Sequence, residues 1–357
     1  MSVGNTPLPA EVTGPVHAHS PGRVNLIGDH TDYNDGLALP MAVDLGTDVV
    51  FVPDERRSVV IRSDVEAQPA AVDLDVSQDP GAIRSVEPDW ARYVAGIVSV
   101  VHPSTGGHGA IATTLPVGAG LSSSAALEVS LALALGARGS PLELARLCQS
   151  AEQVATGVPT GLMDQLVVSG GIEGCAMLID FAKLDSGLTP VPIPDSAEII
   201  VVHSGQQRSL DHSAYAARRA ECEAAAYRLG PLGTVDPEAV LGLPDPVLRR
   251  RARHVVTECD RVRWFVAALG EEDLSEAGRL MTASHYSLST DFEVSTPSLD
   301  ALVQSLVATR GVYGARLTGA GFGGCVVALC EPGAIDPGSF ATPAWRLRPS
   351  AGAWVSC

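Results

Sequence analysis

The sequence predicts a protein of the α+β class with two closely associated domains. Strand-like and helical stretches follow one another without the regular alternation that would indicate a Rossmann sheet. The chain has 357 residues, of which 46% are hydrophobic, so it can form two cores, because a domain usually takes roughly 100–200 residues. We place the boundary near 181–189, where an apolar strand gives way to polar residues and glycine. The predicted domains are therefore 1–185 and 186–357.

Individual elements follow from local composition. Strands are predicted where β-branched or apolar residues are bounded by turn residues, and helices where apolar residues recur at helical spacing or alanine is frequent. Ser140 is the predicted N-cap of one helix and Pro141 fits its first turn, while Gly157 and Pro159 end it. In chain order the predicted elements are strands 47–52, 59–63 and 110–115, helices 125–135 and 142–154, strands 174–180 and 198–203, and helices 213–228 and 255–269.

The charge balance narrows the range of partners. The formal net charge is −17, which argues against nucleic acid or an anionic membrane surface and favours a small molecule. No segment reaches the roughly 20 apolar residues that span a bilayer, and residues 1–13 lack the pattern of a signal peptide. The seven cysteines show no C-x-x-C spacing, which is typical of reduced thiols and argues against a zinc site. We expect a monomer in the cytoplasm.

Two glycine-rich loops are the strongest functional signal. Residues 116–126 read Pro-Val-Gly-Ala-Gly-Leu-Ser-Ser-Ser-Ala-Ala, and residues 317–324 read Leu-Thr-Gly-Ala-Gly-Phe-Gly-Gly. Glycine lets the backbone approach a ligand closely, and the start of a helix attracts anions. Lys183 is the only lysine, so neither a P-loop nor a protein-kinase strand lysine can bind the phosphates. A nucleotide would instead depend on glycines, hydroxyls, arginine and Mg²⁺.

The densest group of polar residues lies in 21–36. Asp29, His30 and Asp32 stand within four residues of one another. Carboxylates accept hydrogen bonds from hydroxyls and imidazole can donate or accept, so these side chains could recognise a polyol. A solvated turn, or a metal site formed by His30 with the aspartates, remains an alternative.

Three motifs in the same order resemble those of the galactokinases, a family of the GHMP small-molecule kinase superfamily. Residues 22–34, Gly-Arg-Val-Asn-Leu-Ile-Gly-Asp-His-Thr-Asp-Tyr-Asn, resemble its sugar signature; 118–125 resemble its ATP loop; and 314–325 resemble its third motif. Local matches at 90–94, 163–165 and 178–180 extend the resemblance over nearly the whole chain. The resemblance implies a two-domain GHMP kinase fold with the active site in the interdomain cleft.

The resemblance also implies a reaction and a set of site residues. ATP, with Mg²⁺, would phosphorylate the anomeric hydroxyl of α-D-galactose. Asp164 would be the catalytic carboxylate, and Arg23 would stabilise it and the transferring phosphate. Ser124 and Glu152 would bind Mg²⁺, which prefers oxygen ligands. The other implied residues are Asp29, His30, Thr31, Asp32, Gly161 and Tyr215 for the sugar, and Gly118, Ala119, Gly120, Leu121, Ser122, Ser123 and Ser124 for the nucleotide.

Several alternatives accompany these roles. Ser122 and Ser123 could simply cap the helix that follows them. Tyr215 could be a core aromatic, and Trp90 and Tyr93 could form either the adenine pocket or part of the core.

One residue departs from the family pattern. The galactokinases usually have glutamate at the position of Asp29, and that carboxylate is associated with the far hydroxyl of the sugar. We therefore expect an altered preference at that end of the sugar. The alternatives are a kinase for N-acetylgalactosamine, galacturonate or L-arabinose, and a non-catalytic galactose sensor. The unbroken serine loop together with Arg23 and Asp164 argues against the sensor.

Overall fold

Three sheets and ten α-helices form the part of the chain described by this computed structural model, residues 14–116, 118–157, 160–206 and 212–356. The α+β class predicted from the sequence is confirmed. The strands are β1 Val16–Asn25, β2 Leu37–Ala38, β3 Pro40–Asp54, β4 Ser58–Ser63, β5 Ala70–Asp73, β6 Gly106–Thr113, β7 Cys175–Asp180, β8 Thr189–Pro192, β9 Glu198–His203, β10 Val312–Thr318, β11 Cys325–Cys330, β12 Ala344–Leu347 and β13 Trp354–Ser356. The helices are α1 Pro80–Arg84, α2 Ala91–Val101, α3 Ser123–Ala134, α4 Pro141–Thr156, α5 Met163–Gly170, α6 His212–Leu229, α7 Pro237–Leu241, α8 Pro246–Gly270, α9 Leu274–Thr290 and α10 Pro297–Val307.

The largest sheet has six strands in the order β13-β1-β3-β6-β4-β5. Adjacent strands of this sheet are antiparallel, except that β4 and β6 are parallel. Apolar residues of β3 and β4 pack against those of α2, α3 and α4 and form the first core. This sheet and its helices carry the first glycine-rich loop and the residues that follow it.

A second sheet has the order β10-β11-β9-β12, and its central strands β9 and β11 are buried on both faces. Alternate residues of β9 belong to different cores: Ile199 and Val201 face one, and Ile200 and Val202 face the other. This explains why the sequence here reads as a continuous apolar run rather than as an alternating pattern. The core that contains Val201 also contains residues of β1 and α8, so it joins the two halves of the chain.

The predicted elements are present, and three of them begin well before their predicted starts. Strand β3 begins at Pro40, seven residues before the predicted start, β6 begins at Gly106, four before, and α8 begins at Pro246, nine before. The arginines at the start of α8 concealed its apolar face, but the Asp245 side chain caps it by accepting hydrogen bonds from Val247 and Leu248 N–H. These extra turns are amphipathic rather than buried all round.

The predicted ends of α4 are confirmed where the structure describes them. Ser140 and Glu143 form a reciprocal capping box, and Pro141 occupies the first turn. Gly157 ends the helix in the left-handed conformation with φ of 73°, which glycine adopts without strain. Pro159, the other predicted stop, lies outside the described residues.

The division at residue 185 stays a prediction. Two strand pairings cross it: β8 pairs with β7, and β13 returns from the end of the chain to pair with β1. A small sheet, in the order β2-β7-β8, lies at the junction. In the described ranges, no helix has both the length and the apolar character needed to cross a bilayer.

The contact between α2 and α4 gives a test of packing. A Cβ atom added to Gly96 of α2 would lie 2.6 Å from the carbonyl oxygen of Ala151 in α4. Gly96→Ala should therefore destabilise the protein by about 1–3 kcal/mol, the usual cost of overpacking. The measurement is the free energy of unfolding in denaturant. Gly270→Ala at the end of α8 is the control, because its Cβ would meet nothing within 4 Å. Equal effects of the two substitutions would contradict the proposed close packing.

Candidate active site

An arginine and an aspartate form the centre of the candidate site. Arg23 lies in β1 and Asp164 is the second residue of α5. Arg23 Nε and Nη2 donate to the two Asp164 oxygens at 2.7 and 2.5 Å, the bidentate arrangement that fixes both partners. Arg23 is 4% exposed, whereas the Asp164 side chain is 30% exposed. Arg23 thus holds the Asp164 carboxylate in place, and part of that carboxylate remains accessible to a ligand.

The first glycine-rich loop contacts this ion pair directly. Its Gly120 carbonyl oxygen accepts from Arg23 Nη1 at 2.6 Å. Ser122 has the left-handed conformation, with φ of 58°, which costs a non-glycine residue of order 1 kcal/mol and is frequent at functional sites. Its hydroxyl donates to Asp164 Oδ2 at 2.5 Å and makes no capping bond to α3. The alternative role of Ser122 as a side-chain cap is therefore not seen.

Ser124 and Glu152 lie together beside this pair. The Ser124 hydroxyl is 3.3 Å from Glu152 Oε1, and the Gln165 amide donates to Glu152 Oε2 at 2.9 Å. Burial raises the pKa of Glu152, and the neighbouring Asp164 charge adds to this. One hydroxyl and one carboxylate fit a hard cation that takes its other ligands from phosphate and water. Among the described residues, no three histidines, cysteines or carboxylates converge on a metal-sized site.

Asp29 is placed differently from the other polar residues of its segment. It is 2% exposed, and one carboxylate oxygen pairs with Arg316 while the other accepts from Gly319 N–H at 3.2 Å. Its backbone oxygen lies 3.2 Å from His254 Nε2. Arg316 and Gly319 belong to the third motif. Asp29 therefore ties the last part of the polar 21–36 stretch, residues 28–36 (the 28–36 segment), to that motif. This pairing was not predicted from the sequence, because Arg316 lies 287 positions further along the chain.

An aromatic cluster lies beside Asp29. His30 Nδ1 is 2.8 Å from the Tyr33 hydroxyl, and the His30 ring lies 4.5 Å from that of Phe292. Tyr215, on α6, brings its ring to 6.0 Å from His30 and 5.9 Å from Tyr33. Burial raises the pKa of Tyr33 well above its usual value. The structure therefore brings the predicted Tyr215 next to the predicted His30. Phe292 was not predicted, because a single phenylalanine carries no motif.

Thr31, Asp32 and Gly161 complete the predicted sugar residues. Thr31 is buried, and its hydroxyl lies 2.8 Å from the carbonyl oxygens of both Gly28 and Leu37, so it shapes the loop. Asp32 lies directly against Gly161, where an added Cβ would be 1.7 Å from Asp32 Oδ2. Both line a cavity of about 300 Å³. Burial raises the pKa of Asp32 to about 7, and the Asp164 and Asp29 charges contribute.

The third motif also reaches the first glycine-rich loop. Thr318 donates to the Asn25 carbonyl oxygen at 3.0 Å, and Cys325 Sγ lies 2.9 Å from the Ala119 carbonyl oxygen. Through these contacts and the pair between Asp29 and Arg316, the β10–β11 hairpin contacts both the first glycine-rich loop and the 28–36 segment.

Trp90 and Tyr93 pack against the first core. The Trp90 indole N–H donates to the Gln68 carbonyl oxygen at 3.0 Å. Burial raises the pKa of Tyr93 to about 12, with contributions from Glu152 and Glu128. Their part in an adenine pocket stays a prediction.

The fold and these loops define a GHMP kinase. The family model "GHMP kinases N terminal domain" matches residues 92–171, and "GHMP kinases C terminal" matches 265–337. A mevalonate kinase from Methanococcus jannaschii has the same fold, with a TM-score of 0.67 at 18% identity over 96% of this chain and 100% of that one. The predicted fold family is confirmed.

Within that class, the chain belongs to the galactokinase family, as the sequence motifs predicted. The model "Galactokinase galactose-binding signature" matches residues 10–53. A galactokinase from Canis lupus familiaris is 43% identical over 328 residues, which cover 87% of this chain and 83% of that protein. The crystal structure of Lactococcus lactis galactokinase complexed with galactose superposes with a TM-score of 0.86 at 30% identity, covering 96% of each chain.

The raised pKa of Asp32 predicts a pH effect on stability. The folded protein keeps a proton on Asp32 up to about pH 7, whereas the unfolded chain loses it near pH 4. This contribution to stability is full below pH 4 and is lost as the pH rises towards 7. Asp32→Asn removes this pH-dependent contribution, so the wild type loses stability between pH 5 and pH 8 in a way that the variant does not. The melting temperature of the variant minus that of the wild type should therefore rise by a few degrees from pH 5 to pH 8.

The control for this experiment is Asp73→Asn, which alters an exposed carboxylate at the end of β5. Its melting temperature should follow that of the wild type at both pH values. Parallel profiles for Asp32→Asn and the wild type would show that Asp32 titrates normally in the folded protein.

Proposed function

We propose that this protein transfers the γ-phosphoryl group of ATP to the anomeric hydroxyl of α-D-galactose, giving α-D-galactose 1-phosphate and ADP. The observation that carries the proposal is the partly exposed Asp164 carboxylate, which Arg23 fixes beside the glycine-rich loop. The galactose-binding signature and the likeness to a galactose-bound galactokinase support the choice of sugar.

The proposed roles follow from the charges. Asp164 orients the hydroxyl and accepts its proton while the sugar oxygen bonds to the γ-phosphorus and the bond to the ADP oxygen breaks. Arg23 keeps Asp164 in place and offers positive charge to the transferring group. The N–H groups at the start of α3 and the residues from Gly118 to Ser124 hold the phosphates.

Mg²⁺, when bound, neutralises phosphate charge. We assign Ser124 and Glu152 to it, since they present adjacent oxygen donors. For the sugar, we assign Asp32, which lines the cavity, and Gly161, which forms part of its backbone wall. We also assign His30 and Tyr215, whose rings lie 6.0 Å apart. We keep the cytoplasmic location and the monomeric state as proposals that rest on the sequence.

A kinase for a related sugar is the second candidate, and Asp29 is the observation that favours it. Its two oxygens are engaged by Arg316 and Gly319, so it reaches less far towards a ligand than a glutamate would. N-acetylgalactosamine, galacturonate and L-arabinose are the sugars to compare. The sensor has weaker support, because Ser122, Arg23 and Asp164 form one bonded group.

ADP release with Mg-ATP tests the proposal on galactose, N-acetylgalactosamine, galacturonate, L-arabinose and glucose. We expect galactose to turn over fastest and Asp164→Ala to lower kcat by about 10²–10⁴-fold, the usual contribution of a positioned acid or base. The control is Asp195→Asn, which replaces an exposed carboxylate between β8 and β9. It should keep wild-type activity. The melting temperature of each variant is measured as well, since Arg23 loses its partner in Asp164→Ala.

Two outcomes would change the conclusion. Fastest turnover on another sugar would retain the mechanism and reassign the substrate. If no sugar turned over while calorimetry still detected galactose binding, the protein would be a sensor.

Asp29→Glu tests whether Asp29 sets the preference at the far hydroxyl. The added methylene extends the carboxylate by on the order of 1 Å, a displacement that can change rates by about a hundredfold. We expect the ratio of kcat/KM for galactose to that for 6-deoxygalactose to change in this variant. Asp73→Glu, at an exposed position at the end of β5, is the matched control. An unchanged ratio in Asp29→Glu would show that Asp29 plays no part in sugar preference.

A further inference from the structure

A buried glutamate near the site has no role in the proposed reaction. Glu128 lies in α3, one turn beyond the serine loop, and is 1% exposed. Its Oε2 accepts a hydrogen bond from Gln165 Nε2 at 3.1 Å. A buried carboxyl group is costly unless it is paired or uncharged, so its presence here calls for a function.

Gln165 connects this glutamate to the candidate metal ligand. The same amide nitrogen that donates to Glu128 also donates to Glu152 Oε2, at 2.9 Å. An amide nitrogen has two hydrogens, one for each carboxyl group. Gln165 also follows Asp164 directly in α5, so its placement affects two acidic groups of the site.

Two buried oxygens in this cluster indicate how it is arranged. Glu128 Oε1 and Gln165 Oε1 each have no hydrogen-bond partner among the residues that the structure describes. Both are acceptors when Glu128 is ionised, and two unpaired buried acceptors are unfavourable. A proton on Glu128 Oε1 would let the acid donate to Gln165 Oε1 while the Gln165 amide donates to Glu128 Oε2. The Glu128 acid and the Gln165 amide would then be joined by two hydrogen bonds.

We propose that Glu128, as an uncharged acid, and Gln165 are positioning residues that fix the Glu152 carboxylate for Mg²⁺. Glu128 holds the Gln165 amide in one orientation, and the second amide hydrogen then holds Glu152 Oε2, which leaves Oε1 beside Ser124. This inference rests on the proposed function, since it assumes a Mg-nucleotide at Ser124 and Glu152.

The surroundings of Glu128 support an uncharged acid. Burial raises its pKa well above the usual value, and the Glu152 charge raises it further, against the hydrogen bond from Gln165. Its other neighbours are Asp164, Cys148 and Tyr93. None of these groups carries a positive charge that would stabilise an ionised Glu128.

The test measures ADP binding by calorimetry with and without Mg²⁺, in the absence of sugar. In Glu128→Met and Gln165→Met, side chains of similar length lose the hydrogen bonds. The factor by which Mg²⁺ tightens ADP binding should fall about tenfold in both, as when the partners of a metal ligand are removed. Glu128→Gln can form both hydrogen bonds to Gln165 and carries no charge. In this variant the factor by which Mg²⁺ tightens ADP binding should equal that of the wild type.

The control is Ser130→Ala, a buried polar residue two positions further along α3 whose hydroxyl bonds only to backbone oxygens of its own helix. Its Mg²⁺ factor should equal that of the wild type. Circular dichroism and the melting temperature identify any variant that fails to fold, and Glu128→Gln and Gln165→Met then carry the test.

Three results would overturn the inference. Unchanged factors in both methionine variants would show that the pair does not act on Glu152. A loss in Glu128→Gln equal to that in Glu128→Met would show that Glu128 acts as an ionised group. A wild-type protein that binds ADP equally with and without Mg²⁺ would remove the basis of the inference, whereas the sugar panel tests the proposed reaction separately.

Discussion

The ion pair between Arg23 and Asp164 is the interaction on which the candidate site depends. It joins three elements that are distant in sequence: β1 supplies the arginine, α5 supplies the carboxylate, and the loop before α3 accepts a third bond from the arginine at Gly120. Because Arg23 is buried, removal of any partner would leave charge or donors without compensation in the protein interior. The position of the helix start relative to the carboxylate is therefore set by one side chain, and the site can hold its shape before a ligand arrives.

Much of the fold could be predicted because the hydrophobic pattern and the turn residues act locally. Ser140 and Pro141 alone identify the start of α4, and β9 agrees with its prediction at both ends. The start of α8 was missed because its arginines bond to acidic groups elsewhere: Arg251 pairs with Glu221 and Glu293. A charged residue whose partner lies on another helix looks solvent-exposed in the sequence.

The same limit applies to the site. The motifs located Asp164, Ser122 and the 28–36 segment, since each lies in a short recognisable stretch. They did not reveal Arg316 as the partner of Asp29, or Gln165 as a bridge between Glu128 and Glu152. These contacts are formed by packing of distant elements around buried polar groups, where a single misplaced partner is costly. Local spacing contains no information about such pairs, so their identification requires the tertiary structure.

The pairing of β13 with β1 has a consequence for how the site is assembled. Residues 354–356 hydrogen-bond to His17, Ala18 and His19 and cover the outer side of the strand that carries Arg23. During synthesis β1 is made long before β13, so β1 has an open sheet edge until β13 is available. Open edges invite pairing with other chains. A nascent or shortened chain without residues 354–356 would thus present the strand that carries Arg23 as an open edge that is prone to aggregation.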